Sequence, residues 1–492
     1  MMNNRKNFIS ALIYQAVHII QGLILPRLII SYFGSDVNGL ISSITQFLSF
    51  ISLLEGGLGA VVLAELYRPI EENDIEKIQS IVYSCRKLFR QLAIVYVLYT
   101  LVLSIIYPLF ISHEFTFGYI CTLTLILSIT TLGQYLFAIS NKLLLQAAQK
   151  VYIVNYVCSG TLLINITLFV ILLFFFPQIH LLKLCSGLVF LLQPILYNHF
   201  VDKKYKNAEI VFDKSYRLNN RWSGFAQNLA YFINMNTDIA VVTVCMGIKN
   251  VSVYSIYMLG INAVRQVISN AEISYQSALG KYYVMDNLDN LENKFKRFEE
   301  AFWGISIVLF CACLQLINPF VSLYTKGVND ADYYQPIFAI IMVLANMLYC
   351  VREPYRIMVY SAGKFKETNI GSILEAVLNL TISLMLVFRF GLIGIALGTL
   401  IAILYRLLYF IVYLKKTMFT TSLVGRFIKL FVELMIVYCI NAHFYFNHAL
   451  TIDSILHFGM AGIVTVLIEF FLVLLVYFSG EWIIKCVKHY KR

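Results

Sequence analysis

AAQKVYIVNYVCSGTLLINITLFVIL, Ala147 to Leu172, has a counterpart 214 residues later in SAGKFKETNIGSILEAVLNLTISLML, Ser361 to Leu386. Each copy sets a lysine before an apolar run, and fifteen residues separate that lysine from an asparagine inside the run: Lys150 to Asn165, and Lys364 to Asn379. Two shorter anchors keep nearly the same step. Gly34 corresponds to Gly247 at an offset of 213, and Tyr107-Pro108 to Asn318-Pro319 at 211. A near-constant offset across several hydrophobic segments marks a tandem repeat.

The segments that repeat are membrane spans. Of 492 residues, 60% are hydrophobic and 13% charged, whereas a soluble domain is roughly 45 to 50% apolar and about 25% charged. A helix needs about 20 residues to cross a hydrocarbon core of about 30 Å. Runs of that length predict fourteen spans, at 8–33, 38–63, 89–110, 117–139, 152–176, 180–200, 225–246, 251–276, 300–324, 333–360, 370–389, 391–414, 427–445 and 454–479. The expected fold class is an all-α polytopic membrane protein with about 14 transmembrane helices.

Lysine and arginine stay preferentially on the cytoplasmic side. With the N-terminus inside, the cytosolic segments hold 28 of them, and the external loops hold three: Lys249, Lys326 and Arg389. Both termini are therefore expected in the cytosol. The net charge of +11 is a topology signal that also favours anionic headgroups, and it needs no nucleic-acid partner. The run after MMNNRKNF continues past Pro26 without a small-residue cleavage site, so it reads as a retained first helix. The ten cysteines imply no disulfide framework, because none falls in an external loop.

Six spans per repeat is an even number, so both copies start in the cytosol and the repeat is parallel. The expected organisation is a six-helix lobe at 1–221, a second at 222–415, and helices 13 and 14 with a cytoplasmic tail at 416–492, the lobes enclosing a central cavity. Two-lobed parallel-repeat membrane proteins commonly alternate access by rocking around a central site.

Residues three, four or seven apart share a helix face. Gln46 lies on such a polar stripe in span 2, Tyr231, Asn234 and Asp238 in span 7, and Tyr349, Glu353 and Arg356 in span 10. In span 1, His18 precedes the Pro26-Arg27 pair, where proline should kink the helix and turn Arg27 inward. Charges at a helix centre cost about 2.5 to 3.5 kcal/mol on the insertion scale, so they should face a bundle interior or water. Arg27 and Arg265 look central, one in each lobe; Glu55, Glu272, Arg352 and Arg406 are expected nearer an interface, where long side chains snorkel. An arginine fork suits phosphate, since it stays ionised and offers bidentate donors. Arg27, Arg265, Arg352 and Arg356 are thus candidate substrate cations, with Gln46, Tyr231, Asn234 and Tyr349 as cavity polar groups. The opposing reading is that each arginine neutralises a buried carboxylate, as Arg356 would Glu353 one turn away. Asp238, His18 and Glu353 are candidate ion-coupling groups.

LPRLIISYFGSDVNGLISSITQFLSFISLLEGGLGAVV (Leu25 to Val62), NTDIAVVTVCMGIKNVSVYSIY (Asn236 to Tyr257) and AGKFKETNIGSILEAVLNLTISLMLVFRFGLIGIALGT (Ala362 to Thr399) resemble the polysaccharide transporter branch of the MOP exporter superfamily. That branch includes Wzx-type O-antigen and capsule flippases and is related to lipid II flippases and MATE exporters. The resemblance covers most of residues 8 to 415. It implies translocation of an undecaprenyl-pyrophosphate-linked oligosaccharide from the inner to the outer leaflet of the bacterial cytoplasmic membrane. It also implies coupling to a proton or sodium gradient, cavity cations at Arg27 and Arg265, and partners such as a polysaccharide polymerase and assembly proteins. No cofactor or metal is expected. A MATE-like exporter of small molecules is the alternative, and it should prefer a carboxylate-rich cavity. A lipid-linked glycosyltransferase could use Asp330-Ala331-Asp332, but that external loop is too short to house an acceptor.

Overall fold

The computed structural model describes residues 2–490, except 56, 112–114, 202–204, 206–212, 214, 219–224, 286, 287, 365, 420, 421, 448–451 and 453. Side chains at 2–4, 225–235, 270–290, 366, 422 and 478–490 also lie outside the described set.

Glycines set where the first helix of each repeat stops. Helix α1 (Met2–Ser49) is broken at Gly34, whose φ is 84°. In the second copy α10 (Phe225–Met246) ends before Gly247 at φ 83°, and α11 (Ile248–Met285) follows. A left-handed backbone is nearly free for glycine and strained for other residues. Further on, α4 (Ile75–Ile111) carries Pro108 and α12 (Leu288–Tyr324) carries Pro319, the matched prolines of the two copies, each near its helix C-terminus.

The quoted repeat proves to be a helix end followed by a helix start. Helix α6 (Ile139–Ala147) leads into α7 (Val151–Phe175), and α13 (Pro336–Ser361) leads into α14 (Asn369–Phe390). Lys150 N–H donates to the Leu145 carbonyl (2.9 Å) and Gln149 N–H to Gln146 (3.0 Å); Lys364 donates to Val359 (3.1 Å) and Gly363 to Tyr360 (3.0 Å). Both ends are Schellman caps, with the left-handed position filled by Gln149 (φ 55°) in one and Gly363 (φ 72°) in the other. Asn165 and Asn379, fifteen residues after the lysines, are both buried.

Among the described residues, eleven segments are long and apolar enough to cross a membrane. The chain is an all-α multi-pass membrane protein. The first of the eleven, Arg5–Glu55, holds two expected spans divided at Gly34. Helices α10 and α16 (Ser422–Asn447) stand where two more were expected, and α15 (Leu392–Thr417) and α17 (Ile455–Tyr490) match two others.

Three expected spans are not single helices. The span at 38–63 stops at Ser49, resumes briefly as α2 (Ser52–Glu55), and restarts as α3 (Leu58–Glu71) after Gly57 at φ 84°. The span at 117–139 is α5 (Phe117–Gly133) followed by a π turn at Gln134–Ala138 that runs on into α6. The span at 180–200 breaks at Leu191 into α8 (Ile179–Phe190) and α9 (Leu192–Phe200), where Pro194 cannot donate back into the preceding turn. Helical periodicity reports the apolar face and is blind to such one-residue defects.

The chain divides into two compact units, Met1–Phe232 and Ile233–Arg492. In the first, α1 packs on α7, α4 on α5, and α8 on both α5 and α7. In the second, α12 packs on α13, and α15 on both α13 and α14, so the pairings recur. Helices α16 and α17 pack against α12 within the second unit.

Candidate functional site

A buried ionic network in the second unit joins α13 to its neighbours α14 and α15. Helix α13 is the most enclosed of the spans, and its successive turns carry Asn346, Tyr349, Arg352, Glu353 and Arg356. Arg352 Nη1 donates to Glu375 Oε1 of α14 at 2.6 Å and Nη2 to Glu353 Oε1 at 3.3 Å. Arg356 Nε donates to Glu353 Oε2 from one turn away. Arg406 of α15 donates to the Thr368 carbonyl (3.0 Å) and the Ser372 hydroxyl (2.6 Å), and its Nε lies 3.6 Å from Glu375 Oε2.

Above this network Tyr349 is held between two guanidinium groups, Arg265 at 4.2 Å and Arg352 at 4.3 Å from its ring centroid. Arg265 also donates to Asn346 Oδ1 at 3.3 Å. Desolvated cation–π contacts of this kind are worth about 2 kcal/mol each. Among the described residues the cluster brings together four arginines and two glutamates. The side chains of Arg352 and Arg406 are 5% and 3% exposed, whereas that of Arg356 is 26% exposed and Arg265 is half-buried. Arg265 and Arg356 are therefore the more accessible arginines of the cluster.

Arg352 and Arg406 do not extend into open space as snorkelling side chains would: both are buried, because Glu353 and Glu375 sit within reach on α13 and α14 and offset the desolvation of the two guanidinium groups. Glu353, a coupling candidate by sequence, accepts from two arginines. Glu55 is half-buried and accepts from the Tyr135 hydroxyl at 3.4 Å. The side chains of Glu272, Tyr231 and Asn234 lie outside the described residues.

Asp238 sits in a different setting in the same unit. Its carboxylate is buried and accepts from the Thr399 hydroxyl (2.9 Å), the Tyr254 hydroxyl (3.0 Å) and the Asn379 amide (3.4 Å), neutral donors on α15, α11 and α14. Asn379 Oδ1 accepts from Ser383 (3.1 Å) and Thr399 (3.4 Å), and the Ile395 carbonyl accepts from Thr399 (3.2 Å) and Ser383 (3.4 Å). One carboxylate thus stands among the oxygens of an amide, three hydroxyls and a backbone carbonyl. Hard cations take ligands of this kind.

In the first unit, a cavity of about 480 Å³ is lined by Tyr14, His18, Gln21 and Pro26 of α1, Gln134 of the π turn, Lys142 of α6 and Gln193 of α9. His18 is thereby placed on a polar wall facing Lys142 and glutamines. Arg27, the neighbour of Pro26, is half-buried and is not among the lining residues. Gln46 is engaged on its own helix, donating to Ser49 Oγ at 3.3 Å. Arg27 belongs to the first unit and Arg265 to the second.

Sequence reasoning missed Thr399, Ser383 and Tyr254 around Asp238, and Lys142 and Gln193 around His18. Asn379 and Ser383 are an i,i+4 polar pair in an apolar run, a signal that was legible. Lys142 falls between the expected spans at 117–139 and 152–176, because the π turn carrying the chain on into α6 leaves no mark in the hydropathy.

Neither a family model nor a curated protein matches the sequence. Solved structures do match the fold. The lipid II flippase MurJ in an inward closed conformation superposes with a TM-score of 0.64 at 15% identity, over 94% of this chain and 97% of that one. The MATE multidrug transporter DinF-BH gives 0.60 at 15% identity, over 85% and 95%. An inward-facing MATE family transporter of the MOP superfamily gives 0.55 at 17% identity, over 83% and 96%. The chain has the fold shared by these transporters.

Proposed function

We propose that the chain is a flippase that moves a diphosphate-linked lipid oligosaccharide, of the O-antigen or capsule type, from the cytoplasmic to the outer leaflet of a bacterial inner membrane. The observation that carries this reading is a set of membrane-embedded arginines with partly exposed side chains, Arg265 against the Tyr349 ring and Arg356 beside Glu353. A pyrophosphate is a membrane-borne anion that an accessible guanidinium suits, because it offers paired donors at fixed geometry. Arg27 in the first unit is assigned a substrate-cation role of its own, and a polysaccharide polymerase and assembly proteins are the expected partners. The likeness in fold to a lipid II flippase supports a lipid-linked cargo.

Asp238 is assigned the coupling ion, a proton or sodium. The test is substitution of Arg265, and separately Arg27, by alanine in a strain whose surface glycan depends on this gene. Loss of surface glycan at unchanged protein level supports flipping, and unchanged glycan export rejects it. The second reading, export of small cations, rests on the Asp238 carboxylate and on the fold shared with MATE transporters. It predicts that Asp238→Asn changes drug susceptibility while Arg265→Ala does not.

A further inference from the structure

The first unit carries a second concavity, of about 520 Å³, lined by Arg86 and Arg90 of α4, Phe137 of the π turn, Asn141 of α6, and Pro194 and Ile195 of α9. Two helix defects build it. A Cβ on Gly133 would meet the terminal methyl of the Leu191 side chain, so the end of α5 packs closely on the α8–α9 break and a larger residue there would displace Leu191. The π turn begins at the next residue and throws Phe137 outward, 60% exposed. Turns of this type lose regular hydrogen bonding and are frequent at functional sites.

The chemistry of the groove is two-sided. Arg86 and Arg90 are exposed and stand one turn apart, a spacing at which like charges repel on a helix surface. Among the described residues, no carboxylate lines the groove to relieve them. Farther along the same face of α4, Ile94, Leu98 and Ile105 are exposed to 63%, 59% and 57%. The order is cationic first and apolar after, running from the end that the lysine and arginine distribution assigns to the cytosol. A soluble anion would match the arginines and leave the apolar walls unused.

We infer that this groove binds one anionic phospholipid of the cytoplasmic leaflet, its phosphodiester between Arg86 and Arg90 and an acyl chain along Ile94 and Leu98. The site is separate from the cluster at Tyr349 and does not depend on what the protein transports.

The test uses the purified full-length chain, delipidated in detergent and titrated with dioleoylphosphatidylglycerol or dioleoylphosphatidylcholine, with bound lipid counted by native mass spectrometry. The wild type is expected to retain one phosphatidylglycerol in preference to phosphatidylcholine. The R86A/R90A double variant should bind it roughly thirtyfold more weakly, at about one order of magnitude per 1.4 kcal/mol and about 1 kcal/mol per basic group. R86K/R90K keeps the charge and should keep most of the preference, with melting temperatures of all three proteins alike. Phe137→Ser, on the exposed wall, should weaken retention without touching the charge. Equal retention of both lipids by the wild type, or unchanged retention by R86A/R90A, would overturn the assignment. Complete displacement of the lipid by millimolar glycerol 1-phosphate would overturn it in favour of a soluble anion.

Discussion

Gln149 and Gly363 occupy the same left-handed cap position in the two repeats, at φ 55° and φ 72°, but only Gly363 can do so without strain. Gln149 is exposed, and the hydrogen bonds of its cap are made by the backbone, so its side chain contributes nothing that glycine would lose there. Gln149→Gly should therefore stabilise the chain by about 1 kcal/mol, and Gly363→Ala should destabilise it by a similar amount. Thermal unfolding in detergent reads both, and a lower melting temperature for Gln149→Gly would contradict the assignment.

The buried arginine network predicts an asymmetry. Removing Arg352 leaves Glu353 paired with Arg356 and Glu375 beside Arg406, whereas removing Glu375 takes a carboxylate from two arginines at once. Breaking a buried pair from one side costs about 3 to 5 kcal/mol. Glu375→Leu should approach that range, with sharply reduced folded protein in the membrane, and Arg352→Leu should cost less. Equal yields and melting temperatures for the two variants would show that the cluster does not share charge in this way.

If Asp238 and its oxygen neighbours hold sodium, sodium must stabilise the folded chain by mass action, by about 2.7 kcal/mol at a hundredfold excess over its dissociation constant. The melting temperature of the wild type should rise with sodium at constant ionic strength, and that of Asp238→Asn should not. Thr399→Ala, which removes one hydroxyl at 2.9 Å, should reduce the effect. A sodium-independent melting temperature in the wild type would leave the proton as the coupling ion at this site.

Helices α16 and α17 are tied to α12 by a polar ladder inside the membrane. Gln315 donates to Asn441 Oδ1 at 2.8 Å, and Asn441 Nδ2 donates to Glu469 Oε2 at 2.9 Å. Asn441→Leu strands partners on both sides and should cost about 1 to 3 kcal/mol, whereas Glu469→Gln keeps an acceptor and should cost less. Limited proteolysis between α16 and α17, together with the melting temperature, tests this ordering. A larger loss for Glu469→Gln would reverse the reading of who holds whom.

By itself, the sequence determined that the chain is an all-α multi-pass membrane protein with an internal repeat and which ends of its helices are basic. Those properties are local: an apolar run of membrane length, a proline or glycine at a fixed offset, a lysine on one side of a span. Only the tertiary structure decided which buried polar groups meet. Arg352 and Glu375 are 23 residues apart and Asp238 and Thr399 are 161 apart, and no periodicity along one helix reports a partner on another. The defects at Gly57, Gln134–Ala138 and Leu191 were hidden for a related reason. Each changes the path of the backbone by a residue or two while leaving the hydrophobicity of the span intact, and it is those changes of path that shape the first unit's grooves.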